Sequence, residues 1–305
     1  MNTPSNRPLP EPKYRSIFSP SDSRQRSENF EEYWAYMREA DGDILEEEKT
    51  LTKKKEMLSS FQSHAVRSSK PLPDPGLFYR NYVDLVDDPA SFDRKTLLLT
   101  CIYKFARHEW AGISEAWDII PTMADSKLLT DRISRYHLCE EFCHVRLFHE
   151  MFRTFHLEEV KWVPLGKGMR WVYRLLTYFP EKVMSPPAFV TELMGMSFYL
   201  EVDRLLDSVF EDEPEARGRI RELLHEIMVD ELAHIGQRRN FIGSFGIRVA
   251  RWMVPPLFKV FFRDIPEAKH LFDVDRMVRE ALAFDYGQVS SRLILRSWVP
   301  SYCRA

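Results

Sequence analysis

The sequence predicts an all-α protein, a four-helix bundle with extra helices at its N- and C-terminal ends. Three observations carry that expectation. Glycine numbers only 11 in 305 residues, poor material for the tight turns of a β-rich chain. The 19 prolines fall mostly in clusters that punctuate the chain, not throughout it. Between the clusters, apolar residues recur at helical spacing over long stretches. With 44% apolar residues there is enough material for a sizeable core.

Taken in order, residues 1–27 are rich in Pro, Ser, Asn and Arg and read as a disordered arm. Residues 28–75 read as a helical extension and linker. Within them 31–64 forms an exposed helical hairpin interrupted near Gly42, and Pro71, Pro73 and Pro75 mark the linker. The run EEEKTLTKKKE places Glu four residues ahead of Lys, as on a solvated face, and its acids cancel any basic docking role for Lys53, Lys54 and Lys55. Residues 76–305 read as the bundle and its helical elaborations. Its four long helices are expected over 92–120, 127–156, 188–211 and 214–243. Pro121 ends the first, and Pro214 opens the fourth behind Asp212 and Glu213. An aromatic, Pro- and Gly-punctuated insertion fills 160–187. A further pair covers 245–262, broken at Pro255-Pro256, and 274–299.

A net charge of -3 gives no global support for a nucleic-acid partner or an anionic membrane. No apolar run reaches the roughly 18–20 residues of a spanning helix, and the N-terminus lacks a signal-peptide core. Cys101, Cys139, Cys143 and Cys303 show no CxxC spacing and no scaffold density. A soluble, cytoplasmic protein is the expectation. The insertion and the stretch RWMVPPLFKVFF are apolar enough to raise membrane contact, but are read as cover for a bundle end or a homodimer interface.

The chemistry lies in acids that interrupt apolar stripes. Glu-x-x-His occurs four times, at Glu141/His144, Glu222/His225, Glu231/His234 and Glu267/His270. Positions i and i+3 share a helix face. Glu231 and His234 continue the face of Ile220, Leu224 and Ile227, while His137, Glu141, His144, Phe148 and Phe155 form a second such face. The pairs at 222 and 267 lie in polar or irregular surroundings and are set aside as surface pairs. Glu109 interrupts the stripe Leu98, Ile102, Phe105, Ile113, Ala116, and Glu201 interrupts Met194, Phe198, Leu205. A carboxylate on a core stripe carries a large desolvation cost unless something satisfies it.

Height along antiparallel helices can be checked by arithmetic. Glu109 and Glu141 average to 125, within the PTMADS connection; Glu201 and Glu231 average to 216. Glu192 with Glu231 averages to 211.5, which keeps Glu192 open as the third-helix acid. Glu201 is preferred for its cleaner flanking stripe and its matching spacing to Glu231. One Glu from each of two helices plus Glu-x-x-His from the other two is the layout of a dinuclear carboxylate site. Two divalent cations neutralise four acids, and an oxygen-rich set with two imidazoles and no thiolate argues for iron or manganese over zinc. Cys139 and Cys143 lie off that face and read as ordinary buried thiols.

This arrangement resembles the ferritin-like diiron carboxylate superfamily across residues 92–243. Chain length, N-terminal extension and the insertion between helices two and three are most similar to the p-aminobenzoate N-oxygenase family. That family's pattern carries an extra His four residues before the helix-four Glu. Here that position is Ile227, and His137 instead stands four residues before Glu141. His137 is then either a third imidazole ligand in a mirrored position or a core histidine bonded to a carbonyl.

The resemblance implies two Fe ions (or an Mn/Fe pair), O2 and a small-molecule substrate such as an aryl amine. It also implies an electron donor of the ferredoxin or flavoprotein reductase kind. Glu141 and Glu231 are the expected bridging acids, Asp230 and Glu140 candidates to orient His144 and His234, and Phe105, Phe148 and Phe198 candidate pocket walls. Alternatives are a diiron hydroxylase or desaturase of an alkyl or carrier-bound substrate, ferritin- or rubrerythrin-like metal or peroxide handling, and a metal-free module whose buried acids pair with arginines.

Overall fold

The computed structural model describes residues 13–119 and 126–305. The chain is all-α among these residues, with only one two-stranded hairpin. Asp22 and Gln25 form a capping box that opens α1 (Ser23–Asp41). Gly42 then turns the chain with a φ of 78°, where a Cβ would strike the Thr52 hydroxyl. β1 (Ile44–Leu45) pairs antiparallel with β2 (Thr50–Leu51), which runs into α2 (Thr52–Ser63). After the short α3 (Pro75–Asn81) come α4 (Arg94–Ile119), α5 (Leu129–Thr154), α6 (Lys167–Leu176), α7 (Glu181–Val209), α8 (Pro214–Asn240) and α9 (Ser244–Arg263). The chain closes with α10 (Ala268–Leu271), α11 (Val274–Leu282) and α12 (Ser291–Ile294).

Four long helices pack in the cyclic order α4, α5, α8, α7, with α7 closing back on α4. Their inner faces are apolar at both ends, with Phe152, Phe155, Phe210 and Ile220 toward one end. The central turns carry the polar groups described below. α9 covers α7, while α1 and α2 lie across α5 on the outer side of the polar layer.

Several expectations need correction. Of the arm, residues 1–12 lie outside the described residues, but 13–22 are packed. Tyr14 bridges to Arg304, Ser16 bridges to Asp285, and Ile17 is fully buried. A polar composition does not prevent a segment from adding itself to an existing core edge. The hairpin of 31–64 is not exposed: α1 buries Tyr33, Met37 and Asp41, and α2 buries Lys54 and Leu58.

The first long helix reaches Ile119; its expected end at Pro121, and most of the PTMADS connection, lie outside the described residues. α7 begins at Glu181 and runs through Pro186-Pro187, where the sequence predicted a start after the pair. Both prolines sit in the second turn, just past the four free N–H groups of the helix start, so each removes one intrahelical donor close to the end and the rest of the ladder is untouched. α9 likewise continues through Pro255-Pro256, held by the buried Val254 and Phe258. Residues 274–299 are not one helix: α11 stops at Leu282, and Tyr286 opens a short 3-10 turn before α12.

Candidate metal centre

Seven side chains from the four long helices converge in two groups that share one carboxylate. His137, Glu141, Glu192 and His234 form the first, and Glu109, Glu141, His144 and Glu231 the second. Within each, one potential ligand atom per residue lies within 4.8 Å of all the others. The helix period explains the convergence. Residues 137, 141 and 144 stand at i, i+4 and i+7 on α5, and 231 and 234 at i and i+3 on α8. Glu109 comes from α4 and Glu192 from α7.

Adjacent acids on α5 and α8 divide the work. Successive helical residues point about 100° apart, so Glu141 and Glu231 turn into the centre while Glu140 and Asp230 reach sideways. His234 donates Nε2–H to Glu140 Oε2 at 2.9 Å, and His144 donates Nε2–H to Asp230 Oδ2 at 3.0 Å. Each imidazole is thereby held by an acid on the opposite helix, with its Nδ1 left facing the carboxylates. His144 Nδ1 stands 3.5 Å from Glu141 and 3.4 Å from Glu231; His234 Nδ1 stands 3.1 Å from Glu141. The third ring, His137, lies against His234 with centroids 3.9 Å apart and planes tilted by 37°, and its Nε2 lies 3.4 Å from both Glu141 and Glu192.

Glu201 is the correction. The structure puts Glu192, not Glu201, with the other acids. Glu201 is buried two and a half turns further along α7, with Arg204 and Arg276 on its two oxygens. A clean apolar stripe selected the wrong glutamate, because both acids occupy buried faces and the arginine that resolves one of them comes from α11. Glu267 also departs from expectation. It is fully buried and paired with Lys104, whereas Glu222 is exposed. Cys139 and Cys143 are buried free thiols, both pushed up to about 12 by burial.

Lys54 was missed altogether. Its ammonium is buried behind the centre, 2.6 Å from Asp230 and 3.3 Å from Asp41. Asp41, Glu140 and Asp230 form a third acidic group there, which the lysine serves as counter-charge. The signal was available: Leu51, Lys54 and Leu58 share one buried side of the segment entering α2, the same kind of interruption that singled out the acids. Two further residues shape the centre from α7. Tyr199 donates its hydroxyl to Glu109 in a short contact, and at Gly195 a Cβ would stand 3.2 Å from Glu231 Oε2.

Electrostatics mark the centre as charge-crowded. Burial raises Glu109 well above the usual carboxylate range, and the Glu141 and Glu231 charges push it further. Burial and Glu141 likewise raise Glu231 to about 8. Burial opposes ionisation of Glu141 too, but the His144 and His234 imidazoles outweigh it and hold this acid well below its usual range. Burial works against charge on His144 and His234 as well; the Glu141 and Glu140 carboxylates respectively overcome it and raise both. Burial lowers His137. Among the described residues, Glu109 Oε2 and the Nδ1 atoms of His144 and His234, which face the centre, have no hydrogen-bond partner. Buried polar atoms left unpaired are costly, and here they converge. The residues fit a pair of divalent cations: four carboxylates balance two such ions, and three imidazoles add neutral nitrogen donors.

The centre opens on a cavity of about 260 Å³. Glu109, Glu141, Glu192 and Glu231 stand on its wall, with Phe105, Ile113, Met194 and Phe261 as apolar lining. Of the three aromatics expected to line a pocket, only Phe105 does. Phe198 stacks behind it at 4.0 Å between centroids, and Phe148 lies in the core. Thr191, Arg238 and Tyr173 supply polar groups. Arg238 Nε stands 3.4 Å from Glu192, and the Tyr173 hydroxyl bonds to His108 Nδ1 at 3.0 Å, whose Nε2 faces Asp264 at 2.8 Å. Comparison with protein-family models, with curated proteins and with solved structures finds no match to this chain.

Proposed function

We propose that the chain is an O2-dependent dinuclear iron oxygenase on a ferritin-like four-helix bundle. Its substrate is a small organic molecule held in the cavity, and N-oxygenation of an aryl amine is the reaction placed first. One observation supports this above the rest. Two four-residue ligand groups share Glu141, two of their imidazoles are oriented by acids on the opposite helix, and the whole faces an apolar cavity. Against simple metal storage stands that cavity, which approaches the size of small-ligand pockets.

Two bound iron ions would supply the O2 activation and electron transfer that side chains cannot. Every other task falls to the chain. Glu141 would be held in common by both ions, with Glu192, His137 and His234 on one side and Glu109, Glu231 and His144 on the other. Asp230 and Glu140 fix the tautomers of His144 and His234, and Lys54 keeps Asp230 ionised behind the ring. Phe105, Ile113 and Phe261 exclude water, while Thr191 and Arg238 can orient a polar substituent. Re-reduction after each turnover calls for a ferredoxin or a flavoprotein reductase.

Metal analysis of chain purified without added metal tests the reading. The expected result is two irons per chain and a transient visible absorption after O2 reaches the reduced protein. Absence of metal, or a single zinc, would overturn it. The same chemistry applied to an alkyl or carrier-bound substrate is the second reading, favoured by the apolar lining. Screening aryl amines with peroxide as oxidant separates the two, since only the first yields nitroso or nitro products.

A further inference from the structure

We infer that α6 and α9 form a docking face for an anionic phospholipid surface, which turns the cavity mouth toward lipid. α6 is a ten-residue helix without one buried residue. Its outward side, continued into the start of α7, presents Trp171, Val172, Leu175, Tyr178, Phe179 and Val183, and Trp171 is 64% exposed. Beside them run Lys167, Arg170, Arg174 and Lys182, all exposed. α9 repeats the pattern, with Phe245, Trp252 (76% exposed) and Val260 among Arg248, Arg251, Lys259 and Arg263. The two segments border each other at both ends. A Cβ at Gly246 would stand 3.6 Å from Pro186, and Met169 and Arg263 line one pocket of about 450 Å³.

Exposed aromatics interleaved with cations are what an interfacial helix offers a bilayer: rings enter the headgroup layer while Lys and Arg meet phosphates. Charge selects this occupant over a second copy. Eight basic residues against Glu181 give the two segments +7 in a chain of net -3; Arg170 meets Glu115 at 3.4 Å and Lys259 meets Asp275 at 3.0 Å, and the face stays cationic after both pairs are discounted. A two-fold contact would press that cationic face against itself. No helix among the described residues is long and apolar enough to cross a membrane, so the contact is one of lying on the surface. Tyr173 connects the two features: it belongs to α6 and also lines the cavity. On the oxygenase reading, and resting on it, a lipophilic substrate would pass from the bilayer by Tyr173 to the centre.

The test is co-sedimentation of the full chain with vesicles of phosphatidylcholine and phosphatidylglycerol, against pure phosphatidylcholine. Binding to the anionic vesicles, weakened by salt, is expected, with Trp fluorescence quenched by bromine-labelled acyl chains. Arg170→Gln with Arg174→Gln should weaken binding about 25-fold, at about fivefold per cation. Trp171→Phe with Trp252→Phe should remove most of the quenching while leaving helicity and melting temperature unchanged. Absence of anionic-vesicle binding by folded protein overturns the proposal. So does a dimer in sedimentation velocity that Trp171→Glu dissociates, or binding restricted to an acidic protein. Metal content measured alongside reads the centre separately, and metal-free chain should bind vesicles equally well.

Discussion

Glu192 and Glu201 stand nine residues apart on α7, both largely shielded from water, and the surroundings of the two differ completely. Glu201 has a guanidinium on each oxygen, from Arg204 one turn on and Arg276 on α11. Its charge is met within the chain and nothing further is needed. Glu192 has one arginine, Arg238, at 3.4 Å, and otherwise faces His137, His234 and a cavity. A buried acid beside arginines is a structural pair. One among other acids and imidazole nitrogens that lack partners points to a cation.

The sharpest test of that contrast is Glu141, which both groups share. Glu141→Ala should abolish dinuclear occupancy, read as irons per chain; a variant retaining two irons would dissolve the distinction. Lys54→Met comes next. It strands Asp230 and Asp41 without their cation, for which about 3 kcal/mol of lost stability is expected, together with roughly 10- to 100-fold weaker iron affinity through His144. Chemical denaturation with and without metal would measure both. Glu192→Ala should leave about one metal per chain with the fold intact.

Glu201→Ala is the matched control: two irons retained, and a cost of only about 1 kcal/mol, because the freed arginines are nearly half exposed and rehydrate. Equal metal content in the last two variants would break the comparison.

Smallest in effect, and visible only as a trend, is pH dependence. Glu109, Glu231, His144 and His234 have folded-state values raised above those of an unfolded chain, so the stability they contribute is lost as pH rises through them, Glu231 at about 8. Glu141 and Asp230 are lowered and lose their contribution only as pH falls into the acid range. Cations compete with the same protons. The melting-temperature gap between iron-loaded and metal-free chain should therefore widen from pH about 6 to about 9. A narrowing gap would mean that the raised acids do not take part in binding.

Much of this was legible in the chain because helices keep strict periods. Spacing alone put His137, Glu141 and His144 on one face and Glu231 with His234 on another, and the paired heights of Glu109 and Glu141 followed from counting. The hairpin arithmetic also left Glu192 in play, although stripe cleanliness argued for its neighbour. What failed were judgements about solvent. Lys54 read as part of a hydrated run and Glu267 as a surface acid. Burial in each case depends on which element crosses over the residue, and that partner is remote in sequence.

Sequence by itself determined the helical class, the polar layer halfway along the long helices, and five of the seven converging side chains by first choice, with His137 and Glu192 left open. Tertiary structure alone decided which α7 glutamate joins them, that the N-terminal extension sends a lysine behind the histidines, and that α6 leaves its aromatic side uncovered. Periodicity is a property of the backbone and is written locally. Charge compensation and cover are supplied across gaps of some seventy to nearly two hundred residues (Arg276 to Glu201, Lys54 to Asp230), and only the packed chain brings those partners together.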